Sequence, residues 1–292
     1  MTEILHDRHR AEDHAALLPP LLAAAHKLAA TVVMGAHGRR QAGIGEEFWQ
    51  FRNAVPGDEL RNIDWRRSAR FDHHFIRQQE WQAAQSVIFW IDDGRNMAFT
   101  GDKGRETKGA RARLLGLALM ILLIRGGERV GLIDDPDPPR SGQTQIDRIV
   151  AQIGANDSAE DYGTPARRDF TRGSRAVFLS DFLGDWSSVE AQIHRAVDRG
   201  VGGTLMQILD PMEEDFPFDG RTEFQSMSGA VRFETLRARG LRAAYRDRLA
   251  ARRDALERLA DNSGWRFTTH HTGDAALPAL MWLFAAQQDE VL

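Results

Sequence analysis

The sequence predicts a doubly wound α/β fold, a mostly parallel sheet covered by helices on both faces, and two observations carry that expectation. From Ser86 onward, short apolar runs bounded by turn residues alternate with longer runs of helical period, as a parallel sheet with right-handed crossovers requires. Several of those apolar runs end in aspartate, which puts carboxylates at the strand ends where open α/β sheets carry their ligands. With 292 residues and 42% hydrophobic content, the chain can fill one large domain or two ordinary ones and bury a sizeable core.

The first expected element is a helix from about Leu17 to Met34, where leucines and alanines recur at helical spacing. Pro19 and Pro20 sit at a tolerated early position, and Gly35 is the stop. From Ala36 to Gln82 the chain is rich in arginine and aromatics and punctuated by Gly43, Gly45 and Pro56-Gly57-Asp58, which predicts short strands and turns in a small subdomain. Strands are then expected at Ser86 to Ile91, Arg129 to Ile133, Ala176 to Leu179, Thr204 to Leu209 and Trp265 to Thr268.

Helices separate these strands. Leu114 to Ile124 is apolar on every side and so reads as buried, while Ile146, Ile149, Val150 and Ile153 form a stripe on the next helix. Ser187 and Glu190 make a capping-box pair, Leu241, Tyr245, Leu249, Leu256 and Leu259 line a helix closed by Asn262-Ser263-Gly264, and Leu277 to Phe284 supplies the last. The segment Asp210 to Thr235 breaks the alternation and is expected as an inserted hairpin or lobe, near 210–237. The organisation expected is therefore a helix and arginine-rich subdomain over 1–85, followed by an α/β domain over 86–292.

Composition removes several classes of function. Without cysteine there are no disulfides, thiolate metal sites or cysteine nucleophiles, which fits a reducing compartment. The N-terminal stretch carries His6, Arg8, His9 and Arg10 and lacks the apolar core of a signal peptide, and Leu114 to Ile124 is too short to span a bilayer. A cytoplasmic protein without a membrane anchor is expected. A net charge of -4 and a pI near 6.2 give no global footprint for nucleic acid.

The chemistry is expected at the strand ends Asp92-Asp93, Asp134-Asp135, Asp181 and Asp210. Converging carboxylates repel one another, and a hard divalent cation such as Mg²⁺ relieves this by taking carboxylate, hydroxyl and water oxygens. The competing explanation is that each aspartate caps the helix or turn that follows it. His37, His73, His74, His270 and His271 have no recognised ligand spacing, Gly101 to Gly109 lacks the ending of a phosphate loop, and Ser180 is not in a nucleophile elbow. Arg39, Arg40, Arg52, Arg61, Arg66, Arg67, Arg70 and Arg77 are interleaved with Phe48, Trp49, Phe51, Trp65 and Phe71, as in nucleic-acid binding segments. Glu46, Glu47, Asp58, Glu59, Asp64, Asp72 and Glu80 nearly balance them, which favours internal pairing.

The run Gly38-Arg39-Arg40, Gly43-Ile44-Gly45-Glu46-Glu47-Phe48, Arg52, Pro56-Gly57-Asp58, Arg61-Asn62-Ile63-Asp64-Trp65-Arg66 and Ser68-Ala69-Arg70 resembles the signature of the bacterial domain of unknown function 58 family. The likeness continues through Asp92, Lys108, Gly127-Glu128-Arg129-Val130-Gly131-Leu132 and Ser180-Asp181-Phe182. It implies a von Willebrand factor A-like domain with a metal-ion-dependent adhesion site. In this sequence that site maps to the loop Asp92-Asp93-Gly94-Arg95-Asn96, with Thr144 as the threonine and Asp181 as the distal aspartate. The metal ligands so implied are Asp92, Asn96, Thr144 and Asp181, and the ion Mg²⁺ or Mn²⁺. The loop departs from the family's pattern, because Gly94 removes one hydroxyl and Asn96 offers an amide in place of another. Thr144 also suits the N-cap of the helix carrying Ile146, and Arg95 would oppose a cation electrostatically.

The resemblance further implies a non-enzymatic adaptor or assembly factor acting with a MoxR-type AAA+ ATPase and a client protein. Two other classes are weighed against it: a metal-dependent hydrolase at the acidic edge, and a nucleic-acid binder using the arginine-rich subdomain.

Overall fold

The computed structural model describes residues 19–32, 48–54, 63–70, 74–79, 84–155, 160–227, 229 and 232–288. Much of the family-like run, at 38–47 and 56–62, lies outside the described residues, as do His37, His73 and the arginines at 39, 40 and 61. The chain divides into two units, Met1–Gly35 with Gln85–Leu292, and Ala36–Ala84.

Helix α1, residues 19–32, belongs to the larger unit, where Ala25, Ala29 and Val32 join the main core. The sequence grouped this helix with the arginine-rich stretch in a segment 1–85. The structure groups it with the sheet, because its small apolar face is buried there.

The smaller unit holds strands β1 (Phe48–Asn53) and β2 (Phe75–Gln79), paired antiparallel with a register shift between Phe48 and Gln50. Between them lies the single turn α2 (Trp65–Ser68). The Ser68 hydroxyl donates to the Asp64 carbonyl at 2.8 Å and accepts from the Phe75 amide at 2.9 Å, which ties this turn to β2.

In the larger unit, strands β3 (Ser86–Ile91), β4 (Arg129–Leu132), β5 (Arg175–Ser180), β6 (Gly202–Leu209) and β9 (Arg266–His271) form one parallel sheet in the order β4-β3-β5-β6-β9. Helices α3 (Lys108–Arg125), α4 (Gln143–Ala155), α5 (Ser187–Asp198), α7 (Arg242–Ser263) and α8 (Ala276–Gln288) cover it. This is a Rossmann-like arrangement of a central parallel sheet flanked by helices.

Side chains alternate across the strands, so each strand feeds two cores. Val87, Phe89, Val130, Leu132, Val177, Leu179, Met206 and Ile208 face a core shared with α1, α3, α4 and α8. Ile88, Trp90, Ala176, Phe178 and Leu205 face another with α5 and α7, where the Trp90 and Trp265 rings meet Phe178 edge-on. Helix α3 is apolar all round because it is buried all round, from Leu115 to Leu123. Gly116 lets it approach the sheet, since a Cβ there would lie 2.7 Å from Ile91 Cδ1. No helix among the described residues is long and apolar enough to cross a membrane.

The break in the alternation after Asp210 is a short helix α6 (Pro211–Asp215) and an antiparallel hairpin of β7 (Thr222–Gln225) and β8 (Arg232–Thr235), inserted between β6 and α7. One capping assignment changes. Ser187 is the first residue inside α5 rather than its cap, and its amide and hydroxyl both donate to Asp185. A complete capping box instead starts α6, from Asp210 and Glu213.

Candidate functional site

In a sheet ordered this way, the chain leaves β3 toward β4 on one side and returns to β5 on the other. The crevice between the carboxyl ends of β3 and β5 is therefore the topological switch point, the usual ligand position of open α/β sheets. Asp92 and Asp181 are the residues that follow those two strands, and both are buried, at 2% and 1% exposure.

The Asp92 amide extends the ladder by donating to the Leu179 carbonyl. Its carboxylate accepts from the Gly94 amide at 2.8 Å and from the Ser180 hydroxyl at 2.6 Å. Burial, with the Asp181 charge close by, pushes the Asp92 carboxyl up to about 6, although both hydrogen bonds pull it down. Beyond Asp181 the chain turns through Phe182 at φ 53°, and the Leu183 amide donates to Asp181 Oδ1 at 2.9 Å. The left-handed turn at Phe182 also returns its own amide to Ser180 Oγ.

The other carboxylate oxygen of Asp181, Oδ2, receives the Asn96 amide nitrogen at 2.7 Å and the Lys108 ammonium at 2.6 Å. Lys108, in the first turn of α3 and 1% exposed, also donates to Glu213 at 2.6 Å and lies 5.6 Å from the centroid of the Phe99 ring. Burial works against its charge, but Asp181 and Glu213 outweigh burial and hold its pKa above the ordinary lysine value. Residues 160–163 close over the loop: the Arg95 and Asn96 amides donate to the Glu160 and Asp161 carbonyls. Packing there leaves no slack. A Cβ on Gly94 would meet Gly163 N at 2.3 Å, and one on Gly163 would meet Asp92 Oδ1 at 2.2 Å. The remaining space among Asp92, Tyr162, Ser180 and Asp181 is about 10 Å³, room for a single water at most.

These geometries decide where each expected ligand stands. Asp92, Asn96 and Asp181 do converge, whereas Thr144 does not join them. It is exposed on the first turn of α4, beside Gln145, whose amide donates to the Val130 carbonyl. Val130 pairs with Val87 at the start of β3, five residues and about 16 Å of strand from Asp92. The chain arrives there because the segment after β4 folds back, bridging Arg140 to Val130.

The residues that do converge fit a divalent ion poorly. Asn96 turns its amide nitrogen, a donor, toward Asp181, and the oxygen of Asp181 that a metal would take is held by an ammonium. Among the described residues no group of three or more His, Cys, Asp or Glu is arranged to hold a metal ion. The other strand-end aspartates serve local structure, since Asp134 accepts from the Ala166 amide and Asp135 from Asp137 and Arg148. Asp210 caps α6 while receiving Arg105 and the Thr272 hydroxyl.

Sequence reasoning assigned no role here to Lys108, Ser180, Glu213 or Gly163. One signal did exist. Lys108 is one of the three lysines of a chain with 38 lysines and arginines together, and the family likeness already ran through it.

Beside the crevice, and sharing Phe99 and Glu213 with it, opens an apolar groove of about 490 Å³ lined by Phe216, Phe218, Phe224, Phe233 and Tyr245. The rings of Phe216, Phe218, Phe224 and Tyr245 pack against one another along its wall. Phe233, which lines it from β8, is 53% exposed.

Residues 50–255 match the family described as protein of unknown function DUF58. The chain belongs to this family. Two relatives, uncharacterized proteins of Mycobacterium bovis and Mycobacterium tuberculosis, are each 26% identical to it, over 69% of this chain and 67% of theirs. No solved structure matches the chain significantly.

Proposed function

We propose that this DUF58 protein is a non-enzymatic binding module with a von Willebrand factor A-like domain, an adaptor or assembly factor that works with a MoxR-type AAA+ ATPase and a client protein. The observation that carries the reading is the contrast between the two neighbouring features. The polar crevice has space of only about 10 Å³, while the groove next to it offers about 490 Å³ with a mainly aromatic lining, of which Phe233 is more than half exposed. Exposed contiguous apolar surface on a folded chain marks a contact site for another protein, and aromatic side chains dominate such contacts.

The hydrolase reading finds less support. Ser180 is 1% exposed, so its hydroxyl, which donates to Asp92, has no access to a substrate. A metal-dependent hydrolase needs a water-bearing ion with an open position, for which the crevice has no room.

The test is binding of the purified full-length chain to the purified MoxR-type ATPase of the same organism, by calorimetry with and without ATP. Binding that weakens about tenfold or more in a Phe233→Ser variant supports the reading. No binding by the folded wild type, or turnover of ester or phosphoester substrates with metal added, rejects it.

A further inference from the structure

We infer that the switch-point crevice is a built-in cation site, in which the ammonium of Lys108 holds the position that a divalent metal takes in adhesion-type sites. The inference concerns the crevice alone and stands whether or not the chain partners an ATPase.

Three independent features meet at this side chain. First, its placement: Nζ lies 2.6 Å from Asp181 Oδ2 and 2.6 Å from Glu213 Oε1, between carboxylates contributed by the end of β5 and by α6. A magnesium ion bound to Asp181 would stand about 2.1 Å from the same oxygen, so the ion and the ammonium exclude each other. Second, its enclosure: Lys108 and Asp181 are both 1% exposed, and a charge buried this deeply persists only where opposite charge and hydrogen bonds surround it. Two of the three ammonium protons go to carboxylates, and the charge also faces the Phe99 ring. Third, its chemical type. Arginine supplies nearly all the cations of this chain, yet here stands one of the three lysines Lys27, Lys103 and Lys108. An ammonium is compact and has tetrahedral donors, so it can sit among carboxylates as an ion does, whereas a planar guanidinium cannot.

The neighbours direct donors at Asp181, although the amide oxygen of Asn96 is buried there with no hydrogen-bond partner. Asn96 stands where the metal-binding pattern calls for a hydroxyl ligand, and it aims a second N–H at the Asp181 oxygen that Lys108 holds. Asp181 thus receives three donors, from Leu183, Asn96 and Lys108, and Asp92 receives two, from Gly94 and Ser180. No step of assembly at this edge then depends on a metal, and chelators leave the crevice intact.

The experiment compares full-length wild type with Lys108→Met, which keeps the length of the side chain and removes its charge. Each is titrated with Mn²⁺ by electron paramagnetic resonance, in which a bound ion loses the free-ion signal, and each is melted in Mg²⁺, Mn²⁺ and EDTA. Wild type is expected to leave the Mn²⁺ signal free and to melt at the same temperature in all three. Lys108→Met is expected to melt roughly 10 °C lower in EDTA, as when one partner of a buried pair is lost, and to recover part of that in Mn²⁺ with saturable binding. If Lys108→Met does not fold in EDTA, refolding it with Mn²⁺ gives the same reading.

Saturable Mn²⁺ binding by wild type that disappears in Asp181→Ala overturns the inference. So does a Lys108→Met protein that gains no response to metal, because the ammonium would then not be standing in a cation's place.

Discussion

Asp92 is kept at a pKa of about 6 by burial and by the charge of Asp181, against 3.8 for an unperturbed aspartate. A carboxyl whose folded value lies above its unfolded one holds its proton longer in the native state. Its contribution to stability is therefore fully present below 3.8 and is lost as pH rises to about 6. Ionised Asp92 costs the fold about 3 kcal/mol at neutral pH on this basis. Asp92→Asn keeps an oxygen for the Gly94 amide and presents Ser180 with a donor instead of an acceptor, so the variant should be more stable than wild type by about 1–3 kcal/mol at neutral pH. In urea denaturation that advantage should vanish near pH 4, and an advantage independent of pH would contradict the assignment. Asp92 and Asp181 were legible in the sequence because each follows an apolar strand, and Asn96 only through the family resemblance, whose loop pattern maps onto it. Lys108 was not legible as part of the site, since its approach depends on a helix start sixteen residues beyond Asp92 docking beneath a short helix that begins after β6. Thr144 failed for the converse reason, because the backward fold at Arg140 carries α4 away from the strand ends.

At the scale of elements, α3 joins core to crevice. Its apolar length was plain from Leu114 to Ile124, but it begins earlier, at Lys108, and its first turn is partly polar because Lys108 reaches the crevice while Arg111 reaches His270 of β9 and the Thr272 and Asp274 carbonyls. Thr107 fixes that start: its side chain accepts from the Ala110 amide at 3.1 Å, in extended backbone at φ -71°, ψ 160°. Thr107→Ala should cost about 1 kcal/mol in chemical denaturation, and Thr107→Ser, which keeps the oxygen, should recover most of it. Equal losses in the two variants would mean that the threonine methyl, rather than the cap, is what matters. The inserted hairpin was legible as an interruption between Asp210 and Thr235, but its pairing of Thr222 with Thr235 was not, because neither strand buries an alternating face and both are largely exposed. Its aromatic wall is formed with Tyr245 of α7, a member of the helical stripe that the structure places in the groove.

Across the whole molecule, the sheet type followed from the short apolar runs, while the order β4-β3-β5-β6-β9 did not, since pairing between distant segments leaves no local trace. The central strands should be the most protected part of the chain. Every residue of β5 is buried, and β5 is bonded on both sides, to β3 and β6. Amide hydrogen exchange should be slowest in β5 and β6, and faster by orders of magnitude in the β1-β2 pair and the β7-β8 hairpin, which are two-stranded sheets with marginal stability of their own. Exchange in β7-β8 as slow as in β5 would show that the hairpin unfolds only with the sheet. The burial of Lys108 also gives the chain an internal clock. Lys27 and Lys103 are exposed and will take an acylating reagent at once, whereas Lys108 reacts only when the crevice opens. Mass spectrometry of its peptide over time therefore reads the opening rate of that one place, with the two exposed lysines as the reference in the same tube.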